Sequence, residues 1–282
     1  MEMREEQTLK KIRGMTTRER LTMSQELSGE LASRIGPIIA LEKNLHILTY
    51  EKKITDQIPP SYAANAFNTV REAVHFYLFV RLSSFWDRAD LEGINIPTVL
   101  ALIEGKEMAE LIRAEHLAAI RSGPPAKKVG DGWSKVDPDW FQEIQEKRDA
   151  ERANAAVVLR DEVILAANEI LQSDYLNAVR NHRDKYAAHI LLVTAREKKE
   201  MEGKLPPGVE NLRPPKFGDE TTLLEKTVPI IDHLNQVTRQ SGYAFDFLAD
   251  QHDRCARELW ENCTITIPDR TKPPSNPTQT SV

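Results

Sequence analysis

The sequence predicts an all-α protein, an antiparallel helical bundle with extra helices at both ends. Apolar residues recur at spacings of three, four and seven through most of the chain, which is the period of helices with one core face. Cap residues and prolines stand where such runs begin. No stretch alternates as a half-buried strand would, and the only β-like scrap is Thr264-Ile265-Thr266-Ile267. The connections between helices read as short, so neighbours should run antiparallel.

In chain order, residues 1–15 are charged and weakly periodic, and a flexible arm is expected there. Thr16 and Glu19 form a capping box. Behind it Leu21, Leu27, Leu31, Ile35, Ile38 and Leu41 make a helical stripe that Gly36-Pro37 should kink or interrupt. Helix resumes from Ile38 to Ile54. Ile58-Pro59-Pro60 is a break, and Ser61 caps the clearest helix, to Asp87. Phe67, Val70, Val74, Leu78, Leu82 and Phe85 line one face of it. After a turn, Pro97 opens a helix expected to reach Arg121. A loop covers about 122–136. Asp137-Pro138 starts a long helix that can run to Gln172, and a second helical stretch begins at Asp174. Paired prolines and Gly218 mark a loop at about 203–220. Thr222 with Glu225 suggests a second capping box, and helix continues through Leu259. Residues 268–282 are rich in Pro, Thr and Ser and read as a disordered tail. The organisation expected is therefore one helical domain over 16–267.

Bulk properties narrow the function. With 40% hydrophobic and 29% charged residues over 282 positions, the chain can bury a sizeable core. A net charge of −5 argues against broad, sequence-blind nucleic-acid binding but leaves room for a local basic cleft. Cys255 and Cys263 are eight apart, about 12 Å along a helix. That is too far for a bridge, so free thiols in a reducing compartment are expected. The N-terminus lacks the apolar core of a signal peptide, and no apolar run reaches membrane length. A cytoplasmic protein without membrane contact is expected.

Groups suited to phosphate chemistry crowd into one place, Arg180-Asn181-His182-Arg183-Asp184-Lys185-Tyr186-Ala187-Ala188-His189, within the helix expected over Asp174–Lys199. Asp174 is the expected cap. Leu176, Val179, Tyr186, Ile190 and Val193 supply its apolar stripe. Arg183 and His189 are six positions apart, a rotation of about 240° and a rise of about 9 Å in an α-helix. Either Arg183 reaches sideways, or it meets His189 from a second copy. From residue types alone, this is equally a charged helix face with a histidine in a salt-bridge network.

Arg183-Asp184-Lys185-Tyr186-Ala187-Ala188-His189 resembles the signature of the HEPN superfamily of small helical bundles, an Arg, a polar residue directly after it, and a His four to six residues beyond the Arg. Its wording is similar to the abortive-infection, AbiU-like branch, and Arg81-Leu82-Ser83-Ser84-Phe85-Trp86-Asp87 resembles that branch's other recurrent stretch. A HEPN-like core over about 61–201 follows from the resemblance. It implies a metal-independent endoribonuclease, a bacterial toxin or abortive-infection effector acting in anti-phage defence, that needs no cofactor. His189 would move a proton and Arg183 would bind the phosphate. The products would be a 2′,3′-cyclic phosphate and a 5′-hydroxyl. Arg180, His182 and Lys185 would support RNA binding or be offset by nearby carboxylates. Asp184 would orient Arg183 or a second copy's His189. Tyr186 would pack, or hydrogen-bond phosphate. Arg81 and Asp87 are assigned to structural ion pairing, Arg81 needing a carboxylate on the motif helix, with RNA contact as the alternative. The expected partners are RNA, a second copy in a homodimer, and an antitoxin protein. The alternative is a non-catalytic HEPN module serving as scaffold or as partner of a nucleotidyltransferase-type antitoxin.

Other chemistry finds no foothold in the sequence. His46, His75, His116, His233 and His252 lack metal-ligand spacing, and no glycine-rich phosphate loop or Gly-x-Ser-x-Gly elbow occurs.

Overall fold

The structure, a computed structural model, describes residues 2–122, 138–188, 198, 202, 214–216 and 218–267. Its helices are α1 (Glu2–Gly14), α2 (Thr17–Tyr50), α3 (Lys52–Thr55), α4 (Tyr62–Ser84), α5 (Ile96–Ile103), α6 (Lys106–Ser122), α7 (Pro138–Gln172), α8 (Asp174–His182), α9 (Asp219–Arg239) and α10 (Phe245–Asn262). A π-helical turn, Arg183–Ala188, continues α8. There is no strand among the described residues, and none of the helices is long and apolar enough to cross a membrane. The fold is all-α, as expected.

The spine is α2, whose 34 residues span about 51 Å. It packs against α4, α5, α6, α9 and α10. Its start is the expected capping box: the Thr16 hydroxyl accepts from Glu19 N at 3.2 Å, and the Glu19 carboxylate accepts from Thr16 N at 2.8 Å. Gly36-Pro37 does not interrupt it. Ile35, Gly36, Ile38 and Ile39 are all buried, so tertiary packing outweighs the missing Pro37 N–H and holds the helix through. Gly36 also admits a neighbour, since a Cβ there would stand 3.3 Å from Leu248 of α10. Across the bundle, Asn235 of α9 donates to Ser28 O at 2.9 Å, and Gln25 donates to Thr238 O at 2.9 Å.

Several other expectations change. The N-terminal stretch is helix α1 rather than an arm. Ile12 is buried, and Arg4 reaches Asp90 at 3.1 Å and Glu92 at 3.0 Å, which ties α1 to the turn after α4. The helix opened by Pro97 does not reach Arg121 unbroken. It stops at Ile103, and Gly105 takes φ +102, a left-handed value that suits glycine. Arg20 of α2 caps the end of α5, donating to Ala101 O, Leu102 O and Glu104 O at 3.1, 2.9 and 2.5 Å. Arg160 of α7 holds Gly105 O at 2.9 Å.

α9 begins at Asp219, so the expected capping box at Thr222 lies inside it. Gly218 is the N-cap at φ +94. Asp219 and Glu220 accept from Lys216 N at 2.6 Å and Gly218 N at 3.1 Å, which ties the preceding segment to the first turn, while no N-cap side chain bonds the helix's own N–H groups. The 264–267 scrap is no strand, and the Gln57 side chain accepts from Ile265 N at 2.8 Å. Cys255 and Cys263 are free. The loop expected at 122–136, most of the one at 203–220, and the tail at 268–282 lie outside the described residues.

What positions the site is the end of α4. Leu78, Leu82, Phe85 and Trp86 are buried, while Val70, expected on the same core face, is 60% exposed. The first half of α4 therefore stands away from the core, and only its last turns anchor it. Trp86 is fully enclosed, and its indole N–H donates to Thr227 Oγ1 of α9 at 2.9 Å. That hydroxyl donates in turn to Leu223 O at 2.6 Å. Thr227→Val keeps the shape but leaves a buried indole N–H without an acceptor. Chemical denaturation should show it less stable than wild type by about 1–3 kcal/mol.

Candidate functional site

The stretch expected to carry the chemistry opens at Ser173, not Asp174. The Ser173 hydroxyl accepts from Leu176 N at 3.3 Å, and Asp174 takes the first helical position, where its charge suits the helix dipole. Leu176, Ala178 and Val179 are buried against the bundle. At Arg183 the α-helix gives way to a π turn. Its i→i+5 bonds rotate the chain less per residue than an α-helix does. The 240° expected between Arg183 and His189 assumed α geometry throughout, and His189 itself lies outside the described residues. π turns of this kind are frequent at functional sites.

α8 and the π turn pack on the second half of α4, so the two motif-bearing stretches do meet. The His182 ring lies 5.4 Å from Phe76, edge-on, and 5.9 Å from Phe79. One residue on, Arg183 turns to the end of α4. Its Nη1 donates to Asp87 Oδ1 at 2.6 Å and to Ser83 Oγ at 3.5 Å. Its Nε, at 3.0 Å, and Nη2, at 2.9 Å, both address Asp184 Oδ1. The Arg183 side chain is 18% exposed, whereas those of Asp87 and Asp184 are 45% and 48% exposed. A nearly enclosed cation thus opens onto solvent between two carboxylates. Burial disfavours its charge, but the hydrogen bonds and charges of Asp87 and Asp184 outweigh that and hold its pKa above the ordinary arginine value. Asp184 therefore orients Arg183 within its own chain.

The expected pairing of Arg81 is corrected. Among the described residues Arg81 forms no salt bridge, and it is only half-buried, so water can hold its charge. The partner of Asp87 is Arg183, the arginine on the motif stretch. Asp87 falls at the right height because it directly follows the anchored Trp86.

Arg180, one turn before Arg183, is different. It is half-buried and has no hydrogen bond or salt bridge among the described residues. Burial, together with the like charges of Arg183 and Arg88, pulls its pKa down to about 10 against the opposing pull of Asp87 and Asp184. Arg88, which sequence reasoning passed over, completes this group. It is exposed, and Glu5 approaches it only to 3.8 Å. Its adjacency to Asp87 was the one available signal.

Behind Phe79 sits a second polar group that the sequence did not indicate. His75 of α4 stacks on Phe79 at 4.5 Å, and its Nε2 lies 3.2 Å from the buried carboxylate of Glu220 on α9. Lys185 is half-buried, Tyr186 enters only through its place in the π turn, and His189 lies outside the described residues.

With this geometry in place, comparison with known proteins assigns the chain. The profile of the HEPN family named AbiU2 matches residues 25–259, from α2 through α10. The chain belongs to the AbiU2 family of HEPN proteins. It is an abortive-infection-related HEPN domain, and the match takes in both motif stretches and the helix α9 that packs on them. No curated protein and no solved structure matches the chain.

The His182 imidazole has a lowered pKa, through burial first and then through the charges of His75 and Lys185. A histidine depressed in the fold takes up its proton more readily when unfolded. Its contribution is complete above the ordinary value and is lost as pH falls towards the folded value. Thermal melting should therefore drop as pH falls below the ordinary histidine value of about 6.5, and His182→Phe should flatten that dependence.

Proposed function

We propose that this AbiU2-family HEPN protein is a metal-independent endoribonuclease that acts as an abortive-infection or toxin effector. The observation that carries the reading is Arg183, a permanently charged planar fork held at a π turn and open to solvent between Asp87 and Asp184. Such a fork matches the oxygens of a phosphodiester. The attacking 2′-hydroxyl would form a bond to phosphorus while the bond to the 5′-oxygen breaks. His189 would take the proton from the 2′-hydroxyl and return it to the departing 5′-oxygen. Arg183 would stabilise the charge growing on the non-bridging oxygens, exchanging Asp87 for the phosphate. The products would be a 2′,3′-cyclic phosphate and a 5′-hydroxyl.

A non-catalytic binding module is the second reading. It is favoured by the engagement of Nε, Nη1 and Nη2 of Arg183 with carboxylates, which a catalytic arginine must partly release.

Purified protein incubated with RNA and excess EDTA separates the two. Cleavage is expected to persist in the chelator. His189→Ala should lower it by about 10²–10⁴-fold, and Arg183→Lys should not restore it, because an ammonium lacks the planar fork. RNA left intact by the wild-type protein, or cleaved equally by His189→Ala, would reject the nuclease in favour of the module.

A further inference from the structure

Three arginines gather at the junction of α4 and α8: Arg183 is bonded to Asp87, Arg88 follows Asp87 in the chain, and Arg180 lies one turn before Arg183. Two of them have anions within the chain. Arg183 is held by Asp87 and Asp184, and Arg88 has Glu5 at 3.8 Å. Arg180 makes no hydrogen bond or ion pair among the described residues, although it is partly withdrawn from water, and Asp87 and Asp184 act on it only through space. A cation in that state is costly unless an anion completes it. It sits three residues before Arg183, and residues so spaced are neighbours on a helix surface, with Cβ atoms about 5–6 Å apart. Glu5, Asp87 and Asp184 match the three guanidinium groups in number, but none of them bonds to Arg180.

We propose that Arg180 and Arg88 form a second anion subsite, holding the phosphate next to the one that Arg183 addresses. The ligand is then a single nucleic-acid strand that spans at least two consecutive phosphates. A mononucleotide or a free phosphate would fill only half of the cluster. The identity of the strand rests on the ribonuclease reading, but occupancy of the subsite does not require cleavage. Arg180 then gains the directly bonded anion that it lacks, and Asp87 becomes the counter-ion that an incoming strand displaces.

The test uses the full-length protein and a fluorescent 2′-O-methyl RNA oligonucleotide, which has no free 2′-hydroxyl to attack. Binding is followed by anisotropy at stepped salt concentrations. Arg180→Gln should weaken binding several-fold and flatten the slope of log K against log salt by about 0.7, the value for one single-strand phosphate contact. Arg88→Gln should act in the same direction. Arg180→Gln should melt no lower than wild type, because it removes a desolvated charge and breaks no salt bridge; an arginine with a merely structural role would show the reverse. Binding that follows this pattern without any cleavage of natural RNA upholds the subsite and sinks only the nuclease. Three results overturn the subsite: no oligonucleotide binding by the wild type, the same slope and affinity for Arg180→Gln, or an unfolded Arg180→Gln together with an unchanged slope for Arg88→Gln.

Discussion

A guanidinium can leave water only if an anion goes with it, and that constraint organises this molecule around Arg183. The group is largely enclosed between α4 and the π turn, and Asp87, 2.6 Å away, comes from a stretch almost a hundred residues earlier. For the two to meet, the end of α4 must be placed to within a fraction of a hydrogen-bond length. The neighbouring residue supplies that placement. Trp86 is sealed in the core and bonded to Thr227 of α9, so Asp87 has little freedom in where it emerges. α9 is fixed in turn to the α2 spine through Asn235 and Ser28. The cation, its counter-ion and the core thus form one connected chain of contacts.

The π turn adds a second layer. Where α8 passes into it, successive side chains face different walls, as helical neighbours about 100° apart do. His182, still within α8, faces the aromatic wall of Phe76 and Phe79, with the His75–Glu220 pair behind it. Arg183, the first residue of the turn, faces the carboxylates at the end of α4. Adjacent residues therefore occupy different electrostatic settings. The imidazole loses affinity for its proton as the core desolvates it, and the guanidinium gains affinity from two carboxylates. Arg180 shows what happens to an arginine that is desolvated without that compensation, its pKa pulled down to about 10.

Much of this was legible in the amino-acid sequence. Helical periodicity and caps such as Thr16 and Ser61 are local properties, written within a few residues of where they act. The all-α fold, the pairing of the two motif stretches and the family follow from such patterns. Arg183 and Asp87 were both singled out, but Arg81, not Arg183, was expected to make the ion pair between the two stretches. The proximity that decides between Arg81 and Arg183 arises only when α4 and α8 are packed.

What tertiary structure alone decided has the same physical origin. Pro37 reads as a breaker, yet buried isoleucines around it and α10 against Gly36 keep α2 whole. The charged N-terminal stretch reads as an arm, but Ile12 and the Arg4 contacts make it helix α1. Arg88 and Glu220 carry no motif at all, and they matter because other helices bring cations or imidazoles to them. The sequence by itself determined most of the helical segments and the stretch in which charged side chains crowd, because those depend on neighbours along the chain. Which charge meets which was set by the packing of α4, α8 and α9, because Coulomb and desolvation energies depend on distance through space.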